Sequence, residues 1–242
     1  MSNLPRGRAS DGLPPVVLSD VPEGDLARPA RGGPALKVLL FNGGEVHDHR
    51  GCGDEILRHL EGAGCFEVTR VEDDLEVFAR PELADFDCVV FYYTVGEISD
   101  AQLVGLSNYI ASGKGFVPVH SGADSFRDSD DYRAIVGGYF VTHPHYRSYQ
   151  VSVLDREHEI TRDLDEFTVT DEQYITSYDS RVNVLATALW QGKAWPVAWT
   201  KSWGRGRVFY LALGHDPAAC RDPNFGLLLT RGVKWAGSAA AG

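Results

Sequence analysis

Three short apolar runs constrain the fold of this chain more than any other feature. Residues 38–41, 87–93 and 115–119 consist mainly of aliphatic and aromatic residues, and segments with helical spacing of apolar residues stand between them. Strands that are apolar on both faces are typical of a parallel sheet with helices on both sides. The alternation of strand and helix therefore predicts a doubly wound α/β core.

The remaining elements are predicted from periodicity and from helix caps. Helices are expected at residues 54–60, 100–111, 130–136 and 225–235, and Ser99 is a favourable N-cap for the second of them. Strands are expected at residues 66–71, 149–154, 166–170, 182–189, 196–200 and 207–213. The second half of the chain thus adds antiparallel strands to a mostly parallel sheet.

The length of 242 residues suits one large domain with short additions. Residues 36–237 are predicted to form this domain, residues 1–35 a flexible tail rich in Pro and Gly, and residues 238–242 a frayed end. The net charge of −11, without a basic cluster, argues against a nucleic-acid partner. No signal peptide and no long apolar segment is found, so no membrane partner and a cytoplasmic location are expected.

Five of the eight histidines stand where a predicted strand ends or a loop follows. They are His47, His49, His120, His143 and His215. In open α/β sheets, ligands bind at the carboxyl ends of the strands, and imidazole is a common ligand of transition metals. We therefore expect one divalent transition metal (Zn, Mn, Fe or Ni) with His47, His120, His143 and His215 as candidate ligands.

The segment Pro-Val-His-Ser-Gly at residues 118–122 has the setting of a nucleophile elbow. The central position, where a nucleophile is expected, holds His120, which disfavours acyl transfer through a thiol or hydroxyl at this point. His120 is interpreted as a base, a metal ligand or an oxyanion partner, although a histidine hydrogen-bonded in a tight turn has the same pattern. A hydrolase that uses Ser121 ranks lower, since Ser121 lies one residue away from the elbow.

Two further loops contribute candidate residues. Gly43 and Gly44 let the backbone approach a ligand, but the loop lacks GxGxxG, so no nucleotide cofactor is expected. Asp171 and Glu172 are adjacent, and in an extended chain they point to opposite sides. Only one of them is expected to face the site, and Glu172 is the candidate.

At these residues the chain resembles the ThuA-like family, which is named from trehalose utilisation. The resemblance runs from residue 37 to 235 and rests on six pieces in a fixed order. They are GGEVHD at 43–48, VHSG at 119–122, GGYFVTHP at 137–144, DEQY at 171–174, PVAWTK at 196–201 and GRGRVFYLALGHD at 204–216. The resemblance implies a flavodoxin-like, class I glutamine amidotransferase-like three-layer fold that lacks the amidotransferase cysteine, and a role in carbohydrate metabolism.

Two hypotheses of function follow. The first is a metal-assisted lyase, hydrolase or isomerase that acts on a small-molecule sugar or keto-glycoside; the second is a non-catalytic carbohydrate-binding or regulatory module. In the enzyme hypothesis the catalytic residues are His120, Glu172 and His47. The substrate-binding residues are Gly43, Gly44, Asp48, Ser121 and Tyr174. A homo-oligomer is compatible with either hypothesis.

Overall fold

A nine-stranded mixed sheet forms the centre of the protein in the computed structural model, which describes residues 34–238. The parallel half consists of β1 (Leu36–Gly44), β2 (Phe66–Glu72), β3 (Cys88–Thr94), β4 (Gly115–Pro118) and β11 (Gly206–Leu211). The antiparallel half consists of β6 (Arg147–Val153), β7 (Phe167–Asp171), β9 (Asn183–Trp190) and β10 (Lys193–Trp203). The strand order is β2-β1-β3-β4-β11-β10-β9-β6-β7, which confirms the predicted mixed sheet.

Helices cover both faces of the sheet. They are α1 (His49–Gly62), α2 (Asp100–Ala111), α3 (Asp130–Val136), α4 (Pro217–Cys220) and α5 (Pro223–Gly237). Alternate residues of β1 belong to different cores: Val38 and Leu40 pack with residues of α1 and α5, and Leu39 and Phe41 with residues of α2 and α3. This alternation explains why the strand is apolar at every position.

The bounds of α2 and α3 are those that the sequence predicted. Ser99 and Gln102 form a reciprocal capping box at the start of α2. The helix predicted at residues 54–60 begins earlier, at His49, because the Asp48 side chain caps it and accepts a hydrogen bond from the Gly51 amide. The predicted terminal segments, residues 1–35 and 238–242, lie almost entirely outside the described residues.

A second, two-stranded sheet was not predicted. It consists of β5 (Gly138–Thr142) and β8 (Ile175–Tyr178), which pair antiparallel. Each strand is only four or five residues long, and its partner lies more than thirty residues away in the sequence. A hairpin signal, which needs neighbouring strands, is therefore missing from this part of the chain.

The antiparallel half of the sheet curls back towards the parallel half. β7 lies four strands from β11, which would be about 19 Å in a flat sheet. Yet an oxygen of Asp171, at the end of β7, lies 2.7 Å from the Gly214 amide that follows β11. The register of β10 shifts between Pro196 and Trp199, and such irregularities increase strand twist. Within residues 34–238, no helix is long and apolar enough to cross a membrane.

Candidate metal centre

Four donor side chains meet at one edge of the sheet. His47, His120, Glu172 and His215 each present a potential ligand atom, and these atoms all lie within 4.8 Å of one another. The four residues follow β1, β4, β7 and β11, whose carboxyl ends share this edge. The structure therefore brings together three of the strand-end histidines and the candidate carboxylate, while their role as ligands stays a prediction.

His120 occupies the elbow in a strained backbone conformation. Its φ is +43°, in the left-handed region that a residue with a side chain rarely adopts. The ring Nδ1 lies 2.7 Å from the Ala212 carbonyl oxygen, so Nδ1–H donates and Nε2 is the nitrogen left to bind a ligand. That Nε2 is buried and has no hydrogen-bond partner. Metal-binding histidines commonly show this pattern, with one nitrogen donating and the other free.

His47 is held in a neutral state. Its Nδ1 lies 2.8 Å from the Thr94 hydroxyl, and its ring packs edge-on against His120 and His215, with centroid distances of 5.1 and 5.0 Å. Burial, followed by the neighbouring His120 and His215, lowers the pKa of His47 to about 3. At neutral pH the imidazole is therefore uncharged, and if its Nδ1–H donates to the Thr94 hydroxyl, the lone pair lies on Nε2.

Glu172 is the centre of the cluster. Its Oε2 lies 3.1 Å from His215 Nδ1 and 3.7 Å from His120 Nε2, and its Oε1 lies 3.0 Å from His143 Nδ1. Burial alone would raise the pKa of Glu172, but the contacts with His120 and His215 outweigh it and hold the pKa well below its usual range. The contact with Glu172 raises the pKa of His215, although burial opposes this. His215 Nδ1 is buried without an aligned hydrogen-bond partner, so the two groups form a close ion-pair contact.

His143, the fourth predicted ligand, lies at the rim. It is not among the four clustered donors, its side chain is 42% exposed, and it contacts the oxygen of Glu172 that faces away from His215. The structure thus gives His143 access to both solvent and the cluster. His49 lies elsewhere, with its Nδ1 3.1 Å from the Asn42 side-chain amide.

The predicted glycine loop is shaped by Asp73. A Cβ on Gly43 would approach Asp73 Oδ1 to 2.1 Å, and Gly44 has a φ of +91° and donates its amide to the same carboxylate. Asp48, predicted to bind substrate, is exposed and caps α1. Asp48 therefore stabilises the start of α1. The close approach of Asp73 favours glycine at position 43, and the positive φ favours glycine at position 44.

Tyr174 and Ser121 lie behind the cluster. The Tyr174 ring packs 3.9 Å from the His120 ring and is 3% exposed. Ser121 is fully buried, and its hydroxyl has no hydrogen-bond partner, so no base activates it. Tyr174 thus packs against His120, and the geometry disfavours the Ser121 hydrolase.

Asp171 is the main residue that sequence reasoning missed. It is 1% exposed, and its carboxylate accepts hydrogen bonds from the amides of Gly214, His215 and Glu172 at 2.7, 3.1 and 2.8 Å. It thereby joins the backbone of two members of the cluster. The sequence predicted that only one of the adjacent acids Asp171 and Glu172 would face the site. It did not predict that Asp171 would bind the backbone amides of Gly214 and His215, because these lie more than forty residues away.

Tyr146 was also missed, because it lies in a loop without a motif. Its ring lies 5.7 Å from that of His215, and its hydroxyl is 3.1 Å from the Thr170 carbonyl oxygen. Burial, followed by the charge of Asp216, raises the pKa of Tyr146 to about 12. The phenol is therefore protonated at neutral pH and acts as a hydrogen-bond donor at the mouth of the site.

The low pKa of His47 predicts an acid sensitivity of the metal-free protein. The pKa of His47 is about 3 in the folded state, against 6.5 for an unperturbed histidine. Between these values the unfolded chain binds a proton that the folded chain does not. The free energy of unfolding should therefore fall as the pH is lowered from 6.5 towards 3. Urea unfolding across this range should show that the free energy of unfolding depends less on pH in His47→Gln than in the wild type. The same pH dependence in both proteins would contradict the lowered pKa of His47.

The sequence of this chain matches that of a known protein family. The sequence profile described as "ThuA: Trehalose utilisation" matches residues 37–236. The chain belongs to the ThuA family. The resemblance given by the six sequence pieces is thereby confirmed, and all four clustered donors lie inside the matched part. A search of curated protein sequences gives no match.

Solved structures share the ThuA fold. A ThuA-like protein from Parabacteroides merdae is 20% identical, with a TM-score of 0.77 over 84% of this chain and 90% of that one. One from Bacteroides uniformis is also 20% identical, with a TM-score of 0.70 over 86% and 94%. Part of a β-galactosidase from Bacillus circulans sp. alkalophilus is 14% identical, with a TM-score of 0.56 over 82% of this chain and 31% of that one. These similarities confirm the flavodoxin-like fold.

Proposed function

We propose that this protein is a carbohydrate-active enzyme that binds one divalent transition metal and acts on a sugar or keto-glycoside as a lyase, hydrolase or isomerase. The observation that carries the proposal is the convergence of three imidazoles and one carboxylate within 4.8 Å at the carboxyl edge of the sheet. No nucleotide cofactor is required, and the partner is a small molecule. A cytoplasmic location is proposed too, since a protein of similar fold from Salmonella typhimurium is described as cytoplasmic.

The donor set fits a transition metal. Imidazole nitrogens and a carboxylate oxygen suit Zn, Mn, Fe or Ni, and the clustered residues His47, His120, His215 and Glu172 would hold the ion. The buried His120 Nε2 has no hydrogen-bond partner, and burial of such a nitrogen is costly unless something binds it. When bound, the metal would polarise a carbonyl or hydroxyl of the substrate.

The chain's own residues supply proton transfer and orientation. His143 contacts Glu172 at 3.0 Å and is partly exposed, so it is the histidine placed to exchange a proton with a bound sugar. Tyr146 presents a protonated phenol beside His215; its hydrogen is donated to the Thr170 carbonyl oxygen, so its oxygen would accept a hydrogen bond from a substrate hydroxyl. The trehalose-utilisation family supports a sugar as the substrate class.

The metal content of purified protein tests the proposal. Elemental mass spectrometry on protein prepared without a His-tag or chelator should find about one metal per chain, and His120→Ala and His215→Ala should lose it. His145→Ala is the matched control, because His145 is an exposed loop histidine and its variant should keep the metal.

Absence of metal from the wild type after reconstitution would contradict the metal centre and leave metal-free acid–base catalysis or a binding module. A screen of keto-sugars with the metal-loaded protein then separates the two classes of function. Saturable binding without turnover under any metal would support the binding module and overturn the enzyme.

A further inference from the structure

His49 is the strand-end histidine that the metal centre leaves without a role. It begins α1, two residues after His47, and its side chain is 16% exposed. The side-chain nitrogen of Asn42 lies 3.1 Å from the His49 ring Nδ1 and donates to the His49 carbonyl oxygen, also at 3.1 Å. Asn42 is fully buried, so one buried amide holds both the ring and the backbone of His49.

Arg70 fixes the orientation of the Asn42 amide. Arg70 Nε lies 2.8 Å from Asn42 Oδ1. A guanidinium can only donate hydrogen bonds, so the amide oxygen faces Arg70 and the NH₂ group faces His49. Arg70 is itself held by the carboxylates of Asp54, at 2.5 Å, and Glu72, at 2.7 Å. A flip of the amide would set its NH₂ group against the guanidinium, donor against donor.

The orientation of the amide decides which ring nitrogen of His49 carries the hydrogen. Because the amide NH₂ group donates, Nδ1 accepts and the hydrogen lies on Nε2. Nε2 lies 3.9 Å from Asp73 Oδ2, so the N–H points towards a carboxylate. The surroundings of His49 thus suit one tautomer, and its Nδ1 supplies the acceptor that the buried Asn42 requires.

The backbone of His49 holds the loop that carries His47. The His49 amide donates to the His47 carbonyl oxygen at 2.7 Å. At the start of the loop, the Gly44 amide donates to Asp73 Oδ1 at 2.9 Å. Residues 45–46, which lie between, are exposed, so packing contributes little to the position of the loop. The place of the His47 ring therefore depends on these two hydrogen bonds at the ends of the loop.

We propose that Asn42 is a positioning residue for the metal centre. Its amide, oriented by Arg70, fixes His49, and the His49 amide in turn fixes the backbone of His47, one of the four donors. Asn42 and His49 act through His47 and do not touch the metal. The inference rests on the proposed function, because it assigns a role to residues behind the proposed ligands.

Asn42→Asp in the full chain tests the proposal with almost no change of shape. It sets a carboxylate oxygen against His49 Nδ1 and the His49 carbonyl oxygen, which both accept hydrogen bonds, so two attractive contacts become repulsive. The affinity of the folded protein for Zn²⁺, measured by competition with a chelator, should fall by about tenfold, the low end of the range for loss of a supporting partner. The absorption spectrum of the Co²⁺-loaded variant should change too, because it reports the geometry of the ligands.

The matched control is Asn108→Asp. Asn108 is an exposed residue of α2, and its variant has the same change of charge. It should bind Zn²⁺ and show the Co²⁺ spectrum as the wild type does.

Substitutions of His49 give a second, independent test. His49→Asn keeps an acceptor oxygen near the place of Nδ1 and should keep the wild-type affinity and spectrum. His49→Leu removes the acceptor and should reproduce the effect of Asn42→Asp. This pair of variants decides alone where Asn42→Asp does not fold.

The outcomes separate the positioning role from the proposed function. Wild-type affinity and spectrum in Asn42→Asp and His49→Leu would overturn the positioning role and leave the metal centre standing. Equal losses in His49→Asn and His49→Leu would also overturn it, because the acceptor at Nδ1 would then not matter. A wild type that binds neither Zn²⁺ nor Co²⁺ would refute the metal centre, and the positioning role with it.

Discussion

Replacing Glu172 with glutamine is expected to abolish turnover and to weaken metal binding by at least about 100-fold, since loss of a mere supporting partner already costs 10–100-fold. The carboxylate touches three histidines, His120, His143 and His215. The amide has nearly the same shape but carries no charge, so it loses the ion-pair contacts while it keeps the packing. Metal titration and a keto-sugar assay on the same preparation measure both effects.

The matched control for this variant is Glu166→Gln. Glu166 is an exposed acid in the same region of the chain, and its carboxylate contacts only the Gln150 side chain among the hydrogen bonds of the described residues. This variant should bind metal and turn over as the wild type does. Wild-type metal affinity and activity in Glu172→Gln would show that the cluster is not the reaction centre.

Asp171→Asn is expected to have the second largest effect. The Asp171 carboxylate accepts three backbone hydrogen bonds, and asparagine replaces one of its oxygens with an NH₂ group that must face an amide N–H. A lost hydrogen bond to a buried charged group costs about 1.5–3 kcal/mol, so the free energy of unfolding should fall by about that amount. Since the bonds hold the backbone at His215 and Glu172, metal affinity should fall as well.

Thermal unfolding and metal titration distinguish this positioning effect from a general loss of structure. Asp179→Asn is the control, because Asp179 forms a surface ion pair with Arg181 and such pairs contribute little to stability. A destabilised Asp171→Asn protein that binds metal with wild-type affinity would show that Asp171 supports the fold but does not position the ligands.

The strands and helices of the core could be predicted because their apolar patterns are local. The runs that form β1, β3 and β4 are apolar at nearly every position, and Ser99 marks the start of α2 in the sequence. The β5–β8 sheet could not be predicted, because its pairing depends on contacts between distant segments. Propensity in so short a strand is overridden by tertiary context.

The convergence of the histidines at one edge of the sheet could be predicted, but not the position and contacts of each candidate residue there. Parallel strands end at the same edge, and this rule alone brought His47, His120 and His215 together. The rule does not predict that His143 lies at the exposed rim of the cluster, or that Asp48 caps α1. Nor does it reveal Asp171, whose partners are backbone amides 43 and 44 residues away.

The place of β11 in the sheet has a consequence for how the protein matures. Among the strands of residues 34–238, β11 is the last in sequence, and it alone joins the parallel half to the antiparallel half. Until it inserts beside β4, the donors that follow β1 and β4 have no fixed relation to the carboxylate that follows β7. A nascent chain that stops before residue 206 can therefore build parts of both halves but cannot close the site. The four donors can therefore converge only once β11 is paired with both β4 and β10.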